Sequence, residues 1–409
     1  MHTLLIHQAL GTPDTGGGTR HIELPAHLIA QGHKFTILTS NVHYASGRVI
    51  TDTNGNVREC QSINGVAIVY LAPIRNLHRN FVWRVVSFIS FMWVSFFAAL
   101  RVPGVDLVMG TSPPLFQAIS AWLVSAIRRK PFLLEIRDLW PEFAIGMGVL
   151  KDPVLIALSR LLESFLYRRA THLLVNSPAY RDYLVSKGQP ADKISLVANG
   201  VDLAQFDPKR ANTSAFAAEY DLQGKFVLTY AGALGMANDI TTLLDAAAAT
   251  CDLERLRILL VGDGKERVNL ETYARQLGLT QVVFCGMRPK AEMPGILACS
   301  DVCVALLRDI PMFRTTYPNK VFDYMAAGKP TLLAIDGVIR EVIEASKGGI
   351  FVPPGHPTKL ADAIRAFYAM PQVELTQMGM AARDHATTYF NRDTQSREFA
   401  EIVLQVASL

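Results

Sequence analysis

The chain has 409 residues, half of them hydrophobic and 19% charged, which is enough for two domains of about 100–200 residues and excludes a disordered or collagen-like chain. Five scattered cysteines exclude a disulfide framework, and with no Cys-x-x-Cys pair a reducing cytoplasm is the expected compartment. The net charge of +4 is uneven: residues 1–205 carry 19 Lys and Arg against 13 Asp and Glu, and the rest carries 21 against 23, so the two halves are expected to meet different partners.

The opening MHTLLIHQALG lacks the basic start and long apolar run of a signal peptide and reads as a strand over 3–7 entering a glycine loop. That loop, Gly16-Gly17-Gly18, precedes a helix expected over 20–31. Triple glycine between strand and helix fits an anion site, because helix N-termini offer free N–H groups and glycine lets a ligand approach the backbone. A plain tight turn is the other reading, and the loop does not match the GxGxxG dinucleotide pattern.

FTILTS and VAIVYL follow as strands, then a helix over 83–100. Sixteen consecutive residues there, VVSFISFMWVSFFAAL, carry no charge and are flanked by Arg75, Arg79, Arg84 and Arg101. A spanning helix takes about 20 apolar residues, so this run is short. A buried helix over a sheet and a helix lying in a membrane interface both remain open.

VDLVMG, PFLLEIR and HLLVNS are further strands, with a helix over 155–170 between the last two. Residues 206–224, with Pro208 and little apolar content, read as a linker. The strand–helix alternation then restarts with KFVLTYAG, LRILLVGDG, VVFCG, DVCVALL, PTLLAI and GIFVPP. Two doubly wound α/β domains are therefore expected, 1–205 and 206–388, with a terminal helix over 389–409 free to pack on either.

Two segments carry chemistry. In LRILLVGDGKERVNL a buried strand ends in Gly262-Asp263-Gly264, followed by Lys265 and Arg267 at the start of a helix, a grouping suited to a diphosphate. In YPNKVFDYMAAGKP, Tyr317, Pro318 and Asn319 enter a helix with Lys320 in its first turn and Asp323 on the same face. Such a helix can offer its N-terminus and Lys320 to phosphate and Asp323 to a ribose diol.

These segments, with GGGTRHIELPAHLIAQGHKFTILT, LVANGVDLAQFDP, LTYAGALG and EIRDLWPE, resemble the retaining glycosyltransferases of family 4, and among them the bacterial enzymes of colanic-acid and O-antigen amino-sugar transfer. The resemblance implies a GT-B fold of two facing Rossmann-like domains with a cleft between them. It implies transfer from a UDP-sugar to a polyprenyl-diphosphate-linked saccharide at the cytoplasmic face of the inner membrane, without metal, cofactor or nucleic acid. The second acid of the family's Glu-x7-Glu motif matches Asp323, and the first falls on Thr315, which has no carboxylate. Of the family's basic pair on the donor phosphates, Arg267 matches the second member. The first falls within AGALGMAND, on residues such as Ala233 and Asn238, and Lys320 is the expected substitute. Asp138, after Arg137, replaces the family's His-Asp pairing and is expected to orient a sugar.

The catalytic candidates are thus Asp138, Thr315 and Lys320. Donor binding is expected from Gly17, Gly18, Gly232, Gly262, Gly264, Lys265, Arg267, Pro318, Asn319, Lys320 and Asp323. A GT-B sugar-nucleotide epimerase and a catalytically silent GT-B binding subunit are the alternatives, and a dehydrogenase is disfavoured by the missing fingerprint.

Overall fold

The computed structural model describes residues 1–12, 18–42, 47, 49–51, 59–74, 81–207 and 213–409. Two compact units emerge: Met1–Ala198 with Asp393–Leu409, and Asn199–Arg392. The first unit ends at Ala198 rather than at 205, and the chain returns to it at Asp393.

Strands of the first unit are β1 (His2–Ile6), β2 (Lys34–Ser40), β3 (Glu59–Ile63), β4 (Val66–Leu71), β5 (Leu107–Ser112), β6 (Phe132–Ile136), β7 (His172–Val175) and β8 (Ile194–Leu196). They form one sheet in the order β3-β4-β2-β1-β5-β6-β7-β8. All described pairings are parallel except β3 with β4. That hairpin was not expected from the strand–helix alternation. It turns on Asn64 and Gly65, both at positive φ (51° and 80°), the geometry that matches the twist of a two-residue hairpin.

The helices of this unit are α1 (Arg20–Glu23), α2 (Ala26–Ala30), α3 (Phe81–Ala99), α4 (Leu115–Arg128), α5 (Glu142–Gly146), α6 (Pro153–Arg169) and α7 (Pro178–Ser186). The single helix expected over 20–31 is broken in two because Pro25 lacks the N–H that would continue it. Helix α3 packs on β2, β4 and α4, so it lies over the sheet, as one of its two readings held, while only 28% of Val82–Ala99 is buried.

The second unit contains α8 (Ser214–Glu219), β9 (Phe226–Ala231), α9 (Ile240–Ala248), β10 (Leu256–Val261), α10 (Arg267–Gln276), β11 (Val282–Gly286), α11 (Met293–Ala298), β12 (Val302–Leu306), α12 (Asn319–Ala326), β13 (Thr331–Ala334), α13 (Val338–Ser346), β14 (Gly349–Phe351), α14 (Pro357–Ala369) and α15 (Gln372–Tyr389). Its sheet is parallel throughout, in the order β11-β10-β9-β12-β13-β14. Both faces are covered, which is why its strands read as unbroken apolar runs. The supposed linker is partly structural: Phe216 and Leu222 are buried with Val227 and Leu259.

The last helix, α16 (Arg392–Ala407), docks on the first unit. Phe399, Val403 and Val406 join the core of Leu5, Phe35 and Ile37, and Ser396 Oγ donates to the Leu24 carbonyl at 2.9 Å.

Candidate functional site

In the second unit three neighbouring strands end at glycine: Gly232 just beyond β9, Gly262 just beyond β10, and Gly286 closing β11. The Gly232 N–H donates to Val261 O at 2.9 Å and the Gly262 N–H to Gly286 O at 2.8 Å, so the three make one floor. Gly262 sits at φ +146°, and a Cβ there would stand 1.9 Å from the Gly232 carbonyl oxygen. Only glycine allows that approach. The carboxyl edge of a parallel sheet is where such folds bind ligands.

Helix α12 brings a cation to this floor. The buried Tyr324 hydroxyl accepts the Ala231 N–H at 2.8 Å and lies 3.2 Å from the Ala231 carbonyl, which pins the helix against the end of β9. Lys320, one turn earlier, is thereby placed beside Gly232, where a Cβ would meet its Nζ at 3.1 Å. Nζ donates to Tyr230 Oη and to Asn238 Oδ1, each at 2.8 Å, and stands 4.3 Å from the centre of the Tyr230 ring. Burial pulls the ammonium down to about 7, and among the described residues no carboxylate pairs with it.

Arg267, at the start of α10, stands on the other side. A Cβ on Gly286 would lie 3.4 Å from its Nη1. Its Nε donates to Glu271 Oε1 at 2.7 Å, and Nη1 lies 3.7 Å from Asp263 Oδ2. Arg267 and Lys320 thus flank one glycine floor, one cation already paired and the other held by neutral groups.

Gly264 belongs to the same edge, for a Cβ on it would strike Leu234 O at 2.3 Å. Pro318 and Asn319 lead into Lys320, and Asp323, part-buried, follows on α12. Lys265 is exposed on the turn before α10. Thr315 closes the 3₁₀ turn Pro311–Thr315, and its hydroxyl donates to Met312 O at 2.6 Å. Asp138 and Gly18 belong to the other unit, and Gly17 lies outside the described residues. Sequence reasoning did not single out Tyr230, which holds the Lys320 ammonium with Asn238.

The first unit has a polar cluster of its own at the carboxyl ends of β1, β5 and β6. Glu135 is fully buried in β6 and pairs with Arg20 Nε at 2.8 Å and His21 Nε2 at 2.5 Å. Arg20 also donates to Val197 O (2.7 Å) and Ala198 O (2.8 Å). Burial alone would push Glu135 up, but His21 and Arg20 together hold it well below the usual carboxylate range. Burial lowers His21 and, further, His7, whose rings lie 4.3 Å apart. His7 bonds Thr111 Oγ1 at 2.7 Å and Arg137 Nη1 at 3.2 Å. Beside this cluster burial raises Asp138 to about 6, against the opposing effects of Arg137 and the Tyr180 hydroxyl. Sequence reasoning did not single out Glu135, although a carboxylate inside the apolar strand FLLEI demands a cationic partner.

Solved structures share this fold over the whole chain. Sucrose-phosphate synthase from Thermosynechococcus elongatus matches with a TM-score of 0.77 at 19% identity, covering 100% of this chain and 99% of that one. Anabaena Alr3699/HepE, solved in complex with UDP-glucose, matches with a TM-score of 0.74 at 19% identity, covering 99% and 100%. The fold is GT-B. Residues 15–200 match the Glycosyl transferase 4-like domain, and residues 225–370 match the model described as Glycosyl transferases group 1. The chain belongs to the glycosyltransferases that join these two domains. Among its relatives, the Escherichia coli (strain K12) protein named as the colanic acid biosynthesis glycosyl transferase WcaI is 23% identical over 396 residues, covering 94% of this chain and 95% of that one.

Proposed function

We propose that the protein is a retaining glycosyltransferase of bacterial surface-polysaccharide synthesis. It moves an N-acetylamino sugar from a UDP-sugar to a polyprenyl-diphosphate-linked saccharide, at the cytoplasmic face of the inner membrane. The observation that carries the reading is the glycine floor flanked by Lys320 and Arg267. A leaving nucleoside diphosphate gains negative charge as the anomeric bond breaks, and donors already aimed at that charge lower the barrier. Lys320 supplies the cation missing from the loop around Asn238, and Asp323 takes the donor ribose. Asp138 orients a sugar from the first unit. The acceptor hydroxyl gives its proton to the departing phosphate as it attacks from the same face, with no metal in the step. The relative named for colanic acid biosynthesis and the UDP-glucose held by Alr3699/HepE support the pathway class and the donor class.

The test is transfer from a panel of UDP-sugars to polyprenyl-diphosphate-linked saccharides, with the product's anomeric configuration read by NMR. Transfer with retention supports the reading. UDP binding without turnover across the panel makes the chain a silent binding subunit, and an epimerised sugar nucleotide formed without acceptor makes it an epimerase.

Affinity for the donor should also depend on pH. Free Lys320 loses its proton near pH 7, while a bound diphosphate favours the ammonium, so binding takes up a proton above that pH. Calorimetry with UDP-N-acetylglucosamine, whose diphosphate has no proton to lose in this range, should show affinity falling by up to about tenfold per pH unit above pH 7. A flat profile rejects contact between Lys320 and the diphosphate.

A further inference from the structure

The helices α3, α4 and α6 follow three successive crossovers, β4 to β5, β5 to β6 and β6 to β7, that run in the same direction along the sheet order. Right-handed crossovers in one direction place all three on one face. Helix α3 packs on α4 and α4 on α6, with Trp122 and Phe165 meeting edge-on at 4.8 Å.

Two of these helices turn apolar side chains outward. On α3, Trp93 and Phe97 are 48% and 51% exposed, and Val82 and Ile89 continue the stripe. Two of its serines point inward: Ser87 and Ser95 are buried, and Ser95 Oγ lies 3.0 Å from Ser120 Oγ of α4. On α6, Leu158 and Leu161 are 55% and 62% exposed, beside Val154 and Leu155. Its inward side carries Glu163, buried and accepting the Tyr167 hydroxyl at 2.9 Å. An ordinary surface helix turns polar side chains outward.

The ends of these helices are basic. Arg101 follows α3, Arg129 and Lys130 follow α4, and Arg168 and Arg169 end α6, all of them exposed. They line the edge from which β5, β6 and β7 start. Asp106 offsets Lys130 at 3.6 Å, which leaves the rim positive. Arg128 closes the end of α3 by donating to Leu100 O (2.9 Å) and Val102 O (2.8 Å), so α3 is bonded into the unit rather than poised to leave it.

We infer that the outward faces of α3 and α6 form one docking surface for an anionic lipid bilayer, with both helices lying flat in the interface and the arginine rim on the headgroups. Apolar stripes and a positive rim on the same helical layer match that surface chemistry. This deepens the membrane location proposed above but does not depend on the transfer chemistry.

Co-sedimentation of the full-length protein with vesicles tests it, using phosphatidylcholine alone and phosphatidylcholine with about one-third phosphatidylglycerol. The wild type should sediment with the anionic vesicles and much less with the neutral ones. The double variant Leu158→Ser/Leu161→Ser should partition about tenfold more weakly, as should Trp93→Ser/Phe97→Ser. An unchanged fluorescence melt without lipid establishes that each variant is folded. Three results overturn the inference: wild-type binding by the α6 variant, equal binding to neutral vesicles, or a wild-type dimer in solution that the α6 variant converts to monomer. The vesicles contain neither donor nor acceptor, so failure here leaves the transfer reading standing, and failed transfer leaves the docking surface standing.

Discussion

Lys320→Met is expected to lower kcat for sugar transfer by about 100-fold or more, while raising the melting temperature of the nucleotide-free protein. Both effects come from one arrangement. The ammonium is held by the Tyr230 hydroxyl and the Asn238 side-chain carbonyl, and burial has already brought its proton loss down to about 7. A partly buried cation without a carboxylate weighs against the folded state, and an isosteric apolar side chain removes that cost.

The sign with pH follows. The folded value of Lys320 lies below its unfolded value of 10.5. The penalty is therefore full below about pH 7 and shrinks as pH rises toward the unfolded value, so the variant's stability gain should be larger at acid pH than at alkaline pH. Thermal melts across pH, set beside initial rates, check both. A variant that loses activity and stability together would mark Lys320 as a structural residue instead.

Glu135→Ala is the second large effect. It should cost about 3–5 kcal/mol, because it leaves Arg20 charged and buried without its carboxylate. Glu135 also links β6 to the start of α1 and, through Arg20, to Val197 and Ala198 after β8, so the loss should loosen the whole carboxyl edge of the first sheet. The Trp residues, Trp83, Trp93, Trp122 and Trp140, all lie before position 199, and tryptophan fluorescence therefore reports the first unit by itself. Urea unfolding followed by that signal should shift strongly, while nucleotide binding by the second unit is retained. The depressed carboxylate also predicts acid sensitivity: its contribution is present above the unfolded value near 4.5 and fades as pH falls toward the folded one. An unchanged urea midpoint would show that the cluster adds nothing to stability.

Much of this was legible in the sequence, for reasons that can be named. Apolar runs such as LRILLV are buried on both faces, so they announce parallel strands without any partner being known. Gly262, Gly264 and the helix start at Asn319 were visible because backbone crowding and helix entry restrict residue choice locally. The hairpin of β3 and β4 was missed although Asn64-Gly65 marks it, since the strand–helix rhythm overrode a short-range signal. The break at Pro25 and the folding of α8 into the supposed linker are local and tertiary effects of the same kind.

The site was half visible. Arg267 and Lys320 could be named, but their standing on opposite sides of one floor follows from β9, β10 and β11 being neighbours, which no local pattern states. The same holds for Arg20 and Glu135, far apart in the chain and brought to 2.8 Å by the sheet order. Leu158 and Leu161 lie in the helix expected over 155–170, but the sequence did not say which way they would face. Apolar spacing is the same for a face turned to a core and a face turned to lipid.

The most direct test of the central claim is a crystal structure with UDP bound. The diphosphate should rest on Gly232 and Gly262, with Lys320 Nζ and the Arg267 guanidinium within hydrogen-bonding distance of its oxygens. A diphosphate seated elsewhere, with Lys320 still bonded only to Tyr230 and Asn238, would contradict it.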